Sequence, residues 1–399
     1  MEGHPLRDRL DDRLATQRLR GRHVRALACA LASFHESAAP ARSSRVSTSV
    51  ALARRSRELG DRLESLAGGA GIGPDLERLL VEQQRFLAHE IDALLDRIAA
   101  GRIRSIHGRL RCHRVWVSRL GGACFAEPDA CACGDVTQDV ADLALELRAR
   151  GGQRPAEQLV SAYALAADDY ELFRVLRFYE WEAALRLALE GASEAGRQAS
   201  RPGPAACVRA ALGGVGPPPL LIATGGSVAT GKSTLAKAVS RRLAIPRIVA
   251  DRVRDALLAP LPDGVAHELS WDPGFFARGY RAMLQRAKWV LRSGRSVVLD
   301  ACFPTGERRR EAASLAERCG ARFVFVHCDP APKDVAARLL RRDARDGAPP
   351  GSWQALARRI AAAWEPPSED EPGRCVRIDT GRPRAEWLRA LGIEPEETA

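Results

Sequence analysis

Apolar residues recur along the first half of the chain at helical spacing. Leu6, Leu10 and Leu14, then Val24, Leu27, Leu31 and Phe34, mark two helices over residues 6–35 with a break near Gly21. Residues 37–50, rich in Ser, Ala and Arg, read as a loop. Helical stretches follow at about 51–66 and 75–100, separated by a glycine-rich breaker at 68–74. A short apolar strand is expected over 115–120, then three more helices at about 136–150, 155–167 and 171–190. Residues 1–200 thus read as a mainly helical domain. Gly, Ala, Ser, Pro and Arg dominate residues 191–219, ending in Gly216-Pro-Pro-Pro219, so a stiff linker is placed over 201–218, with room for a helical turn around Val208–Leu212.

The pattern then changes. An apolar run at 219–223 and strand signals at 247–250, 296–299, 322–327 and 374–378 alternate with helical patterns at about 235–243, 252–259, 274–293, 305–319, 331–345, 352–363 and 383–391. Such alternation predicts an α/β domain over 219–399, a five-stranded parallel sheet wrapped by helices. Ligands of such a sheet bind at the carboxyl ends of its strands.

Candidate chemistry collects at those ends. Gly226, Gly231, Lys232 and Ser233 fit G-x-x-x-x-G-K-[ST] between the first strand and its helix, the context that the motif requires. Glycines let the backbone N–H groups of Gly226, Ser227, Val228, Ala229, Thr230, Gly231, Lys232, Ser233 and Thr234 converge on phosphate oxygens, aided by the helix dipole. Lys232, one of four lysines in the chain, would reach the β- and γ-phosphates of ATP, and Ser233 would ligate Mg²⁺. Asp300 ends the run Val297-Val-Leu-Asp300, and an acid there is expected to hold Mg²⁺ as well. Asp251 follows the second strand; it could accept the proton of an attacking hydroxyl, or simply cap the next helix. Arg254, one turn along, could bind the acceptor or the transferring phosphoryl group. The arginine-rich segment 337–346, followed by a Gly- and Pro-rich loop, suits a lid in which Arg338 and Arg342 neutralise transition-state charge.

Together these residues resemble the AAA_33 type of P-loop kinase over about 219–391. That resemblance implies an ATP- and Mg²⁺-dependent phosphotransferase acting on a hydroxyl of a small molecule. A polynucleotide 5′-hydroxyl kinase and an ATP-binding switch are the alternatives. The first half carries a second resemblance. His107-Gly-Arg109-Leu-Arg111 looks like the catalytic loop of aminoglycoside phosphotransferase-like kinases, and residues 134–144 resemble the helix after that family's metal-binding segment. The Phe34-His35 end of the second helix fits the same lobe. Here Arg109 stands where that family has its catalytic Asp, and Arg111 replaces its closing His. No Gly-rich strand pair or strand lysine is recognised. A guanidinium stays protonated and is no general base, and Glu127 alone near the metal-ligand position makes no metal site. The expectation is a degenerate kinase-like lobe fused to a P-loop kinase domain.

Composition adds little. A net charge of +11 is almost all arginine, spread along the chain, and reflects residue usage more than a polyanion partner. Aromatics at 5% do not interleave with the basic residues, which counts against stacking on single-stranded nucleic acid. Ten cysteines lack regular spacing, and the group Cys112, His113, Cys124, Cys131 and Cys133 has no C-x-x-C pair, so thiols rather than a zinc site are expected. No apolar stretch is long enough to span a bilayer, and a cytoplasmic protein is expected.

Overall fold

The computed structural model describes residues 7–40, 49–66, 72–118, 121–128, 132–192, 201–213, 217–269, 272–346 and 351–394. The sequence readings at 41–48, 67–71, 193–200 and 347–350, and Cys131, lie outside the described residues. The chain divides into two compact units, Met1–Val215 and Gly216–Ala399.

The first unit is mainly helical. Helices Leu10–Ala15 and Gly21–Ser37 flank the expected break, and helices Thr137–Ala149, Gln153–Ala166 and Leu172–Ala192 occupy the stretches read from periodicity. The single helix expected over 75–100 is two, Gly73–His89 and Ile91–Ala99. Glu90 leaves helical geometry between them (φ −119°, ψ 24°), with no Gly or Pro to announce the break. Among the described residues five short strands also form: β1 (Arg7–Arg9), β2 (Ile103–Ile106), β3 (Val115–Ser118), β4 (Ala123–Phe125) and β5 (Ala132–Asp135). They pair antiparallel as β1-β3-β4 and β2-β5. The stretch read as a linker over 201–218 contains a helix, Pro204–Leu212, whose Cys207, Val208 and Ala211 are fully buried. Burial of that apolar face, worth roughly 25 cal/mol per Å², outweighs a composition typical of connectors.

Around the helix Thr137–Ala149 the interior is unusually charged. Every residue from Thr137 to Leu147 is buried, including Asp139, Asp142 and Glu146. Buried carboxylates need partners, and arginines supply them. Arg97 donates to Asp135 at 2.9 and 2.8 Å and to Asp169 at 2.5 Å. Arg111 joins Asp142 and Glu190, both at 2.9 Å. Arg148 joins Glu157 at 2.7 Å and Glu180 at 2.9 Å. For Asp169, burial alone would raise the carboxyl pKa, but Arg97 and Arg102 more than offset it and hold the group below the usual range.

The second unit contains the five expected strands: β6 (Leu220–Gly225), β7 (Arg247–Val249), β8 (Val297–Asp300), β9 (Arg322–Cys328) and β10 (Arg374–Ile378). All pair parallel, in the order β10-β9-β6-β8-β7. All four residues of β8 are buried, which is why it reads as a continuous apolar run with no polar alternation. One core cluster joins Ile222, Val298, Val326 and Ile378 of the sheet to Leu235, Ala236 and Val239 of the helix Lys232–Leu243 and to Trp387 and Leu388 of the helix Arg384–Ala390. A helix that periodicity did not reveal, Asp263–Leu269, precedes the longer helix Pro273–Arg292.

Candidate phosphate-binding site

Because β6 is central, the loop after it opens at the carboxyl edge of the sheet, where the chain has strands to either side. Two glycines shape that loop. Gly226 has φ +132° and Gly231 φ +88°. A Cβ on Gly226 would lie 2.7 Å from the Cys328 carbonyl oxygen, and one on Gly231 2.6 Å from Thr380 Oγ1. Both positions therefore demand glycine by conformation and by space. Ala229 also takes a left-handed conformation, φ +62°, a strain that neighbouring contacts must hold in place.

Those contacts grip the loop through its carbonyls. Thr380 Oγ1 donates to Thr230 O at 2.6 Å, and Thr230 Oγ1 to Ser227 O at 2.9 Å. Arg338 donates to Ala229 O at 3.2 Å, to Thr380 Oγ1 at 2.9 Å and to Thr380 O at 2.8 Å. Lys232 Nζ donates to Ser227 O at 2.5 Å, so its ammonium lies within the loop's own curl. A loop held by its carbonyls can keep its amides directed at an anion. Beside Ser233 and Thr234 a groove of about 400 Å³ opens, lined by Lys237, Arg241, Arg247 and Arg384.

Ser233 and Asp300 meet. Ser233 Oγ donates to Asp300 Oδ1 at 2.9 Å, and Arg247 Nη1 lies 3.3 Å from Asp300 Oδ2. Asp300 is 4% exposed. Burial pushes its carboxyl pKa up; Arg247, Ser233 and Lys232 pull it down without cancelling that effect, and Asp251 adds to the rise. A hydroxyl and a buried carboxylate side by side form the oxygen donor pair that a hard divalent cation takes.

Asp251 lies in the first turn of the helix Ala250–Leu258 with its side chain 73% exposed. The cap residue of that helix is Val249, so Asp251 is not its N-cap. Arg254 Nη2 sits 3.9 Å from Asp251 Oδ1. Arg342 stacks on Trp353, its guanidinium carbon 3.6 Å from the ring centroid. Neither Arg338 nor Arg342 is thus a loose lid side chain: one braces the phosphate loop and the other packs on an indole.

Several partners escaped the sequence reading. Arg247 beside Asp300 and Thr380 under the loop carry no motif. Arg309, 1% exposed, donates to both Glu371 oxygens at 2.6 Å and to Phe303 O at 3.1 Å. It thereby anchors the segment that leaves β8, and its hydrogen bonds hold the Glu371 carboxyl below the usual range despite desolvation. Only the density of arginine around 308–310 hinted at it.

In the first unit, the expected catalytic-like loop is also held, by other means. Asp139, fully buried, accepts from the backbone amides of His107 at 2.7 Å and Gly108 at 2.8 Å. His35 Nε2 lies 3.0 Å from the same carboxylate, and its Nδ1 2.8 Å from Tyr163 Oη. Arg109 is exposed at the tip, whereas Arg111 is buried in its ion pairs.

Residues 221–364 match the AAA_33 family, described as an AAA domain. Uncharacterized proteins of Mycobacterium tuberculosis and Mycobacterium bovis are each 28% identical over 386 residues, a match covering 90% of this chain and 73% of theirs. Among solved structures, the APS kinase CysC of Mycobacterium tuberculosis in complex with AMPPNP and APS is 23% identical, with a TM-score of 0.33, covering 44% of this chain and 96% of that one. A gluconokinase from Sinorhizobium meliloti is 21% identical, with a TM-score of 0.32, covering 44% and 89%. At such scores the likeness adds nothing to the fold, which stands on the chain's own sheet.

Proposed function

We propose that the second unit is an ATP- and Mg²⁺-dependent phosphotransferase that moves the γ-phosphoryl group to a hydroxyl of a small molecule. The observation that carries this reading is the 2.9 Å contact between Ser233 and Asp300, at the end of the loop that carries Lys232 and is held by its carbonyls. The match of residues 221–364 to AAA_33 supports it independently. In this reading the loop amides and Lys232 hold the β- and γ-phosphates. Ser233 and Asp300 would hold Mg²⁺, which when bound neutralises phosphate charge. The bond from Pγ to the β,γ-bridging oxygen breaks, its electron pair leaving with ADP, while the acceptor oxygen bonds to Pγ. Asp251 takes the hydroxyl proton. Arg254 serves the acceptor. Arg338, spent on Ala229 and Thr380, acts as a positioning residue for the loop, and Arg342 supports the segment around Trp353.

For the first unit we propose a non-catalytic, degenerate kinase-like lobe. Its loop presents an exposed guanidinium at Arg109, which cannot accept a proton at neutral pH.

The test is transfer from γ-labelled ATP with Mg²⁺ into a metabolite extract, comparing wild type with Asp251→Asn. We expect a labelled product whose rate of formation falls about 10²–10⁴-fold in the variant, the usual contribution of a general base, with ATP binding retained. Tight ATP binding with water as the sole acceptor in both proteins would instead make the unit a nucleotide-gated switch.

A further inference from the structure

We infer that the acceptor carries an anionic group besides its hydroxyl, recognised by Arg254 and Arg308 across the aromatic face of the helix Pro273–Arg292. The inference rests on the phosphotransfer reading and adds the chemical class of the substrate.

Phe276 and Tyr280 are four residues apart on that helix and so share a face. Each carries a guanidinium from a different element. Arg254, from the helix Ala250–Leu258, has its Cζ 5.4 Å from the Phe276 centroid. Arg308, from the helix Gly306–Arg318, has its Cζ 5.3 Å from the Tyr280 centroid. The Arg254–Phe276 pair stands beside the carboxylate proposed to take the hydroxyl proton. Asp251 is 3.9 Å from Arg254, and its charge adds to the burial that raises the Tyr280 phenol above its ordinary pKa. Tyr280 Oη in turn accepts from the Phe303 amide at 3.0 Å, which ties this face to the segment leaving β8 just after Asp300.

A guanidinium lying over a ring spends its face and keeps its edge, where the N–H fork suits carboxylate or phosphate oxygens. The Arg254 side chain is 31% exposed, so it is open to a soluble anion on its solvent side. Arg308 is partly engaged by Glu311 at 2.8 Å, so Arg254 is the primary contact and Arg308 the second. Phe276, 38% exposed, supplies an apolar wall beside the charges. A neutral polyol needs mixed donors and acceptors. Two cations on aromatic rings suit an acid.

The experiment uses the full chain. A cell-metabolite extract, filtered to remove macromolecules, is split on an anion exchanger at neutral pH into retained and unretained fractions. Each fraction, and separately a single-stranded oligonucleotide, is offered with γ-labelled ATP and Mg²⁺. Label should enter a product from the retained fraction. With that acceptor, Arg254→Ala should raise KM about tenfold or more, as expected for a lost charge-assisted hydrogen bond, and Arg308→Ala less. KM for ATP should not move, and Arg254→Lys should recover part of the loss. Acceptor activity confined to the unretained fraction would overturn the inference while leaving phosphotransfer intact. So would a fall in kcat with unchanged acceptor KM in Arg254→Ala, which would assign the guanidinium to the transferring group. Label in the oligonucleotide alone would make the substrate a polynucleotide and overturn it too. If nothing is labelled, the phosphotransfer reading fails and the inference falls with it.

Discussion

In the first unit a buried carboxylate, Asp139, holds loop 107–111 by two backbone amides. In the second, Thr380 and Arg338 hold loop 226–234 by two backbone carbonyls. Both loops are fixed by groups distant in sequence, yet the chemical consequences are opposite. Amides given to Asp139 are consumed by the protein itself, whereas a carbonyl is of no use to a phosphate and is given up freely. The charges follow the same division. Arg97, Arg111 and Arg148 are spent on buried carboxylates in the first unit. Around the second loop, Arg247 is likewise paired with buried Asp300, but Arg254 and Arg384 stay at least partly exposed beside the proposed acceptor face or the groove. A rigid loop is therefore no sign of a site by itself; what matters is which backbone groups its supports use up.

The largest effect should come from breaking the first support. Asp139→Ala removes the acceptor of two buried amides and the partner of His35. Loss of one member of such a buried polar cluster should destabilise the first unit by about 3–5 kcal/mol. Denaturant titration would measure it, and hydrogen exchange at His107 and Gly108 should accelerate. A change below about 1 kcal/mol would mean that the loop is held by the β2-β5 pairing instead. The second loop should behave differently. Lys232→Ala removes a side chain whose contact is with its own loop, so thermal stability should hold. Phosphotransfer should drop about 10²–10³-fold, the usual loss for one electrostatic contact to a developing charge. Equal damage to stability and to activity would break the contrast, because Lys232 would then be a structural member of the loop.

How legible this was in the sequence depended on where each partner lies. Of the five strands of the second unit, β8 is an apolar run buried at every residue and β6 nearly so, whereas the edge strand β10 is largely exposed, yet each was visible in isolation. β1, β2 and β5 are three or four residues long and take their register from remote partners, such as Arg7 with Ser118 and Ile103 with Asp135. No local pattern encodes such pairings. Likewise Gly226, Gly231, Lys232, Ser233 and Asp300 stand at spacings that chemistry dictates. Arg247, Thr380 and Arg309 act through tertiary contacts, and in a chain with 61 basic residues another arginine carries no signal. Glu90 shows the limit of periodicity: the apolar spacing continues across it while the backbone does not.

The smallest predicted effect is the sharpest test of the comparison. Arg109→Asp restores the acid that the resemblance to a kinase catalytic loop would ask for, at the tip of a loop that Asp139 already fixes. Arg109 is exposed, so the substitution should change stability by no more than about 0.5 kcal/mol. In the Lys232→Ala background, transfer from ATP to any acceptor should remain at background, because a base without a held phosphoryl donor accelerates nothing. Recovery of transfer in that double variant would show that the first unit holds ATP by itself. The carboxylate grip on loop 107–111 would then be catalytic architecture awaiting one side chain, and the division between consumed amides and offered amides would no longer separate the two units.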